Sequence, residues 1–202
     1  RDGLVTGVQT CALPIYQADQ VILEVNAWHN PALEGMHDIY YGTDVPPHRK
    51  PIPMTHPHER IGEPYLRCDP AKVIAVVVTN QPDRNSVYAA PDDTSNRIAG
   101  HIIDFLQHEV KRGRLPKDLL PLQSGVGNIA NAVLAGLNNG PFNNLTAYTE
   151  VLQDGMLDML RSGKLASASA TALSLSPSAM QDFNERIDYY KEIGRASCRE
   201  RV

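Results

Sequence analysis

Alternating strand and helix patterns in the second half of the chain constrain its fold most strongly. Short apolar runs with strand character alternate there with segments whose apolar residues recur at helical spacing. The predicted elements are strand 119–123, helix 128–137, strand 145–150, helix 156–161, strand 164–169 and helix 178–190. Such alternation is typical of a parallel sheet with right-handed crossover connections. The sequence therefore predicts an α/β protein.

Two β-branched runs precede this pattern. One is QVILEVNAW (20–28) and the other is KVIAVVVT (72–79), separated by a proline-rich segment at 33–65. The second run is apolar at consecutive positions, which is typical of a strand buried on both faces of a parallel sheet. A linker follows, and then a helix that Asp92 or Asp93 can cap. We therefore predict a domain boundary near residue 90, between residues 16–90 and 91–191.

Both ends of the chain are predicted not to be native protein. ALPI (12–15) can be encoded by GCT CTT CCG ATC, whose reverse complement GATCGGAAGAGC encodes IGRA (193–196) after the last base of the preceding codon. One oligonucleotide read in two directions therefore accounts for both ends. We interpret residues 1–15 and 192–202 as translated sequencing adapter. A signal peptide at the N-terminus is disfavoured, because residues 4–15 contain no continuous apolar core.

Charge and cysteine content exclude several classes of protein. The formal net charge is −4 and lysine and arginine form no cluster, whereas nucleic-acid binding depends on neutralising phosphates. The longest apolar run, 73–78, is far shorter than the roughly 20 residues that span a bilayer. Of the three cysteines, only Cys68 lies outside the predicted adapter segments, which fits a reducing compartment. We expect a cytoplasmic protein without nucleic-acid or membrane partners.

Two glycines lie between a predicted strand and an alanine-rich helix in LPLQSGVGNIANAVLAGL (120–137). Gly125 and Gly127 let the backbone approach a ligand, and N–H groups at the following helix start favour an anion. The turn could cradle a phosphate or provide backbone donors to an oxyanion. Alternatively, the glycines serve only the packing of a tight turn. The dinucleotide-binding fingerprint is excluded, because its third glycine would fall on Ala130.

Glu150 is the candidate nucleophile, at the predicted carboxyl end of strand 145–150 in TAYTEVLQDG (146–155). Ligands of open parallel sheets bind at this end of the strands, so Glu150 and the glycine turn are expected to face one crevice. A carboxylate beside backbone donors suits nucleophilic acyl chemistry. Alternatively, Glu150 caps the next helix or pairs with a lysine. For the cap, Asp154 is the better candidate, because it immediately precedes Gly155.

The histidines of the proline-rich segment do not predict a metal site. His56 and His58 stand in HPH, but no cysteine or carboxylate lies at the fixed spacings that make zinc sites recognisable. We interpret these two residues, together with His37 and His48, as loop histidines. No bound metal is expected.

Five longer motifs resemble one protein family. They are LEGMHDIYYG (33–42), PPHRKPIP (46–53), RIGEPYLRCDP (60–70), LPLQSGVGNIANAVLAGL (120–137) and NLTAYTEVLQDGMLDML (144–160). Together they are similar to the acetyl-CoA hydrolase/transferase family of class I CoA-transferases, over essentially all of residues 16–191. The resemblance implies homodimers whose subunits have two similar α/β domains. Residues 16–90 would end the N-terminal domain, and residues 91–191 would begin the C-terminal domain.

The resemblance also implies a reaction. CoA would move between succinyl-CoA or acetyl-CoA and a small carboxylate such as acetate, through a glutamyl-CoA thioester on Glu150. Arg84 would help to hold the substrate carboxylate. Coenzyme A is therefore expected as a substrate, without a metal cofactor. The residues implied to contact CoA and to donate to the oxyanion are Gly125, Val126, Gly127, Asn128 and Ile129.

Two alternatives to CoA transfer stay open. An acetyl-CoA hydrolase of the same family would use the same residues with water as acceptor, and a non-catalytic nucleotide-binding module would use the glycine turn without Glu150. The resemblance further implies that an asparagine orienting the glutamate and a loop with a second oxyanion donor lie beyond residue 191. We therefore expect this chain to be a fragment that is inactive by itself.

Overall fold

The structure is a computed structural model that describes residues 15, 18–40, 48, 50–83, 85, 90–193 and 197–198. The strands in these residues are β1 (Val21–Asn26), β2 (Val73–Thr79), β3 (Leu145–Gln153), β4 (Leu165–Ser174) and β5 (Ser197–Cys198). The α-helices are α1 (Asp93–Lys111), α2 (Asn128–Asn139), α3 (Asp154–Arg161), α4 (Pro177–Glu185) and α5 (Ile187–Ile193). The chain is an α/β protein, as predicted.

β1 and β2 form a two-stranded parallel sheet. The register runs from Val21 opposite Val73 to Asn26 opposite Thr79. At the carboxyl end, Asn26 Nδ2 donates a hydrogen bond to the carbonyl oxygen of Gln81 at 2.7 Å. The predicted strands 20–28 and 72–79 are confirmed, with ends shortened by one or two residues.

The prediction that β2 is buried on both faces is wrong. Ile74, Val76 and Val78 are 56%, 58% and 71% exposed, and Ile22 and Val25 of β1 are exposed as well. Within the described residues, β1 is the only strand that pairs with β2, so these side chains remain in contact with solvent. An apolar run favours a strand, but the neighbouring elements decide whether that strand is covered.

The segment after β1 connects the first sheet to the rest of the structure. A short 3-10 helix (Pro31–Leu33) begins after Asn30, whose side chain accepts a hydrogen bond from Ala32 N at 2.9 Å. Asn30 Nδ2 also donates to the carbonyl oxygen of Asn184, at the end of α4, at 2.7 Å. Met36 is buried in the same apolar cluster as residues of β3 and α3. The two parts of the chain therefore share core contacts.

β3 and β4 are parallel neighbours in the second sheet, and α3 is the crossover between them. Their register runs from Leu145 opposite Leu165 to Gln153 opposite Ser174. β5 adds a two-residue strand on the other side of β4. The predicted strands 145–150 and 164–169 are present, and both continue beyond their predicted ends.

Local capping explains where two of the helices begin. α1 starts after Asp92, whose carboxylate accepts a hydrogen bond from Ser95 N at 2.7 Å, and α4 starts after Ser176, whose hydroxyl accepts one from Ala179 N at 3.3 Å. Such caps satisfy N–H groups that a helix start leaves free. Among the described helices, none combines the length and apolar character needed to cross a membrane.

Residues 119–123 do not form the predicted strand. Leu122 alone makes a parallel bridge, with Ala147 of β3. Leu119 has a φ of 58°, which departs from an extended strand, and Pro121 has no N–H for a ladder. A hydrogen-bonded strand cannot continue through this stretch.

Two predicted helix boundaries also differ from the structure. Asp154 is the first residue of α3 rather than its cap: the N-cap is Gln153, and no side chain caps the helix. The Asp154 carboxylate instead accepts a hydrogen bond from Ser176 N at 2.8 Å, which joins the starts of α3 and α4. The predicted helix 178–190 is two helices, because the backbone leaves helical geometry at Arg186, with φ −115° and ψ 29°.

The hydrophobic core surrounds β3, β4 and the helices beside them. Leu145, Leu152 and Leu157 are completely buried. Other large residues of this cluster are Met156, Met159, Leu160, Leu175, Met180, Phe183 and Tyr190. The helical spacing of the apolar residues in α3 and α4 therefore reflects one buried face on each helix.

A polar network joins α3, α4 and α5. Arg161 donates to Tyr190 Oη at 2.8 Å and to Asp182 at 2.7 Å, and the Tyr190 hydroxyl donates to Asp182 at 2.7 Å. The Tyr190 hydrogen bond, followed by Arg161, holds the pKa of Asp182 below its usual value. Burial and the neighbouring Asp182 raise the pKa of Tyr190.

Candidate functional site

The glycine turn lies between the Leu122 bridge and the start of α2. Gly127 is the N-cap of α2, with φ 128° and ψ 175°, a backbone conformation that is essentially restricted to glycine. No side chain caps this helix start. Val126 and Ile129 are half exposed, and Asn128 is exposed. The turn therefore combines uncapped backbone donors with accessible apolar side chains.

Packing alone does not explain the two glycines. A Cβ at Gly125 or at Gly127 would meet no atom within 4 Å, and of the two only Gly127 has a positive φ. The space above both glycines is open, which leaves room for a ligand close to the backbone. Among the described residues, no atom packs closely against either glycine, and at Gly127 the backbone conformation itself favours glycine.

Two buried side chains of β3 hold the turn in place. Thr149 Oγ1 accepts a hydrogen bond from Ser124 N at 3.4 Å and lies 3.2 Å from the Ser124 carbonyl oxygen, to which it can donate. Gln153 Nε2 donates to the carbonyl oxygen of Gly125 at 2.7 Å. Both side chains are almost completely buried. Sequence reasoning missed them, although two polar residues on a largely buried strand were a usable signal.

Glu150 follows Thr149 and is exposed. Side chains alternate across a strand, so Glu150 lies on the face of β3 opposite Thr149. Its carbonyl oxygen accepts a hydrogen bond from the Thr171 hydroxyl of β4 at 2.5 Å. β3 continues to Gln153, so Glu150 lies three residues before the strand end rather than at the predicted tip.

The two alternative roles of Glu150 find no support among the described residues. Gln153, not Glu150, is the N-cap of α3. The ion pairs in the described part of the chain do not include Glu150. Glu150 is an accessible carboxylate on the strand that also holds the donor turn, with its side chain on the other face from Thr149 and Gln153. An accessible carboxylate and backbone donors are the elements of nucleophilic acyl chemistry.

Arg84 lies outside the described residues, but the residues on both sides of it are described. Asp83 Oδ1 lies 3.2 Å from His29 Nε2, just after β1. Asn85 Nδ2 donates to the carbonyl oxygen of Leu175, just after β4, at 3.2 Å. The residues that flank Arg84 are therefore held close to the carboxyl ends of both strands.

Two motifs of the proline-rich segment contact each other. The Asp38 carboxylate accepts hydrogen bonds from Ile61 N at 3.1 Å and from Gly62 N at 2.6 Å. Ile39 and Glu63 form an antiparallel bridge. A Cβ at Gly62 would lie 2.3 Å from the Ile39 carbonyl oxygen, so only glycine fits there. Asp38, which is buried, therefore organises this loop.

The histidines do not lie at the glycine turn. His56 and His58 line a cleft of about 640 Å³ at the amino ends of β3 and β4, the opposite end of the sheet. Burial, with a contribution from Arg60, lowers the pKa of His37, and hydrogen bonds from Thr55 lower the pKa of Glu59 to about 2. In the part of the chain that the structure describes, no group of three or more His, Cys, Asp or Glu residues suits a metal ion.

The fold is similar to that of RipA. The crystal structure of RipA from Yersinia pestis matches 90% of this chain and 34% of that protein, with a TM-score of 0.53 and 19% identity. A structure of a RipA point mutant matches 89% of the chain and 33% of that protein, with a TM-score of 0.57 and 20% identity. The likeness to these structures defines the α/β fold.

Sequence similarity identifies the family. Acetyl-CoA hydrolase of Schizosaccharomyces pombe is 46% identical over 192 residues, which are 94% of this chain and 36% of that protein. Succinyl-CoA:acetate CoA-transferase of Clostridium kluyveri is 43% identical over 187 residues, 93% of this chain and 35% of that protein. No protein-family profile matches the chain. The chain belongs to the acetyl-CoA hydrolase/transferase family, as its motifs predicted, and spans about a third of the length of these relatives.

Proposed function

We propose that this chain is part of an enzyme that moves CoA between succinyl-CoA or acetyl-CoA and a small carboxylate such as acetate, with Glu150 as nucleophile. The observation that carries the proposal is that one strand, β3, carries the exposed Glu150 and also, through side chains on its other face, holds the donor turn. Thr149, next to Glu150, bonds Ser124, and Gln153 on the same strand bonds Gly125. The relatives named as hydrolase and CoA-transferase support the same class of chemistry.

In the proposed reaction, a carboxylate oxygen of Glu150 attacks the carbonyl carbon of the acyl-CoA. The carbon–sulfur bond breaks, CoA leaves as the thiolate, and an acyl-glutamyl anhydride forms. The thiolate then attacks the glutamyl carbonyl carbon and releases the first carboxylate, so that CoA is held on Glu150 as a thioester. The incoming carboxylate reverses these two steps and leaves as the new acyl-CoA. Covalent catalysis preserves the activation of the thioester, which hydrolysis would dissipate.

The glycine turn supplies the second part of the proposed site. Each addition step places negative charge on a carbonyl oxygen, and one backbone donor aimed at such an oxygen is worth about 10²–10³ in rate. In this proposal a turn N–H fills that role, and Arg84 holds the carboxylate of the substrate. The residues proposed to contact CoA are Gly125, Val126, Gly127, Asn128 and Ile129.

A second candidate function is acetyl-CoA hydrolysis, which the name of the Schizosaccharomyces pombe relative favours. Water would then attack the glutamyl-CoA thioester and release free CoA. Assays of the full-length protein with acetyl-CoA, with and without an added carboxylate such as succinate, separate the two reactions. A transferase forms succinyl-CoA and releases little free CoA, whereas a hydrolase releases CoA at the same rate without the acceptor.

Substitution of Glu150 tests the proposal in the full-length protein. Glu150→Ala and Glu150→Gln remove the nucleophile, so both are expected to abolish transfer, and borohydride added after acyl-CoA is expected to inactivate only the wild type by reducing the thioester. Glu185→Ala is the matched control, because Glu185 is an exposed carboxylate on α4. Transfer at the wild-type rate by Glu150→Ala would exclude Glu150 as the nucleophile, whereas CoA binding without any transfer by the wild type would favour a non-catalytic nucleotide-binding module.

Substitutions in the turn test the donor role. Gly127→Val is expected to cripple CoA binding, because a β-branched residue cannot readily adopt φ 128°. Val126→Ala is the control, because it shortens the side chain and keeps the backbone of the turn. Equal losses of CoA affinity in the two variants, measured by calorimetry, would contradict a role for the backbone of this turn.

The remaining expectations concern the whole protein. We propose a cytoplasmic homodimer with two similar domains, of which residues 16–90 and 91–191 are parts. The family resemblance supports the dimer and the domains, and a single cysteine outside the proposed adapter segments supports a reducing compartment. Residues 16–191, purified without the proposed adapter segments, are expected to show no transfer between succinyl-CoA and acetate. Turnover comparable to that of a full-length relative would contradict the proposal that residues 16–191 contain only part of the catalytic site.

A further inference from the structure

We infer that Gln153 is a positioning residue that aims the backbone donors of the glycine turn, with Thr149 as its partner. The inference rests on the proposed function, because it assigns to Gln153 a part in that same site. Gln153 is the last residue of β3, the N-cap of α3 and only 2% exposed. The strand before Gln153 and the helix after it therefore fix its position. Its side-chain amide contacts a turn 28 residues earlier in the chain.

The hydrogen bond from Gln153 fixes the direction of a donor. Gln153 Nε2 holds the carbonyl oxygen of Gly125 at 2.7 Å. That carbonyl belongs to the same planar peptide unit as the N–H of Val126, and in a trans peptide the two groups point in opposite directions. Because the carbonyl points toward the buried amide of Gln153, the Val126 N–H points away from that amide. Gln153 thereby sets the orientation of the donor without touching the substrate.

Thr149 fixes the preceding peptide unit in the same way. Its hydroxyl lies within hydrogen-bonding distance of both the N–H and the carbonyl oxygen of Ser124. The Ser124 carbonyl shares a peptide plane with the N–H of Gly125. Two consecutive donors of the turn are therefore held by two side chains of β3, the strand that also carries Glu150.

The side-chain carbonyl oxygen of Gln153 makes it possible to distinguish a positioning role from a contribution to stability. Gln153 Oε1 is buried and has no hydrogen-bond partner among the described residues. A buried carbonyl without a partner destabilises a fold. Methionine has similar length and no such oxygen, so Gln153→Met is expected to leave stability unchanged or to raise it. The variant loses only the hydrogen bond to Gly125.

Kinetics of the full-length protein test the inference. Gln153→Met is expected to lower kcat about 10–100-fold, a large part of the value of one oxyanion donor, with the KM for acyl-CoA changed less than about threefold and the thermal midpoint not lowered. Gln153→Glu is expected to lose at least as much, because its carboxylate would oppose the Gly125 oxygen. Thr149→Val is expected to lower kcat, and Thr149→Ser, which keeps the hydroxyl, to retain it. Gln181→Met, at an exposed site on α4, is the matched control.

Hydrogen exchange of the full-length protein gives a readout that does not depend on activity. Ser124 N bonds Thr149, and Asn131 N bonds the Gly127 carbonyl in the first turn of α2. In Gln153→Met the Gly125 carbonyl keeps, among the described residues, only its hydrogen bond from the Ser124 hydroxyl, at 3.1 Å. Both amides are then expected to exchange about tenfold faster, as the loss of one hydrogen bond implies. Peptides from α3 and β4 are expected to exchange at the wild-type rate.

The possible outcomes separate this inference from the proposed function. An unchanged kcat in Gln153→Met, or a fall in kcat that only follows a fall in the thermal midpoint, overturns the positioning role. Faster exchange at Ser124 and Asn131 together with a fall in kcat at constant KM supports it. If Glu150→Gln retains full turnover, the proposed function fails, whereas the exchange effect of Gln153→Met is still expected.

Discussion

The two sheets differ in a way that their composition does not suggest. β2, VIAVVVT, is almost entirely apolar and is largely exposed, whereas β4, LASASATALS, is rich in alanine and serine and is mostly buried in its first half. β4 pairs along its length with β3, and α3, whose Met156, Leu157, Met159 and Leu160 are buried, packs beside it. Burial therefore follows from the elements that surround a strand, not from the hydrophobicity of its residues.

The difference also predicts where folding free energy resides. Burial of apolar surface stabilises a fold by about 25 cal/mol per Å², so the side chains of β3 and α3 contribute strongly and most of those of β2 contribute little in this chain. Exposed apolar strand surfaces favour association with other chains. The first sheet is therefore expected to govern the solubility of the chain, and the second sheet its stability.

The largest expected effect concerns association. Val76 and Val78 are two residues apart and point to the same face of β2. The double variant Val76→Lys, Val78→Lys is expected to change the chain from large aggregates to monomers in sedimentation velocity, because charge opposes strand association. Thr94→Lys, Asn96→Lys adds the same charge at exposed polar sites on α1 and is expected to leave the aggregates in place. Equal solubility of the two variants would show that net charge, not the sheet surface, is responsible.

The next effect compares one buried and one exposed side chain. Leu152→Ala removes a completely buried side chain and is expected to lower the free energy of unfolding by about 2–5 kcal/mol. Val78→Ala is expected to change it by less than about 0.5 kcal/mol. Urea denaturation of both variants in the otherwise wild-type chain, at protein concentrations low enough to prevent association, measures the contrast. A similar loss at Val78 would mean that β2 is covered in solution.

A smaller effect is expected in the polar network of the second region. Tyr190→Phe removes the hydroxyl that donates to Asp182 and accepts from Arg161. Because Asp182 and Arg161 are each about one third exposed, solvent screening limits the expected loss to about 1 kcal/mol. Tyr189→Phe is the control, because it removes a neighbouring tyrosine hydroxyl and keeps the ring that contacts Tyr190. Equal losses in thermal denaturation would show that the loss does not come from the bonds to Asp182 and Arg161.

The smallest expected effect is a pH dependence of the same contact. The Tyr190 hydrogen bond, with Arg161, depresses the pKa of Asp182 below 3.8 in the folded state. Its contribution is therefore present above pH 3.8 and is lost as pH falls through the folded pKa. The difference in unfolding free energy between wild type and Tyr190→Phe is expected to shrink below about pH 4. A difference that stays constant down to about pH 2 would exclude the ionised carboxylate as the partner.

Some residues of the proposed site could be predicted from the sequence, and others could not. The glycine turn and Glu150 were identified from motif and spacing, since chemistry at strand ends depends on residue types close together in the chain. The bonds of Thr149 and Gln153 to the turn join residues 25 and 28 positions apart. No local pattern encodes such pairs, because they arise only when β3 lies beside the turn.

The sequence alone determined most element types of the second region and its family, because apolar periodicity and long motifs are local properties of the chain. The predicted strand 119–123 fails for a local reason, since Leu119 has a positive φ and Pro121 lacks a ladder N–H. Tertiary structure decided two other features. β2 is exposed because only β1 pairs with it in the described residues. Gln153 meets Gly125 because the register of β3 places its amide there. Each depends on which distant segments become neighbours, and a single run of residues does not specify that.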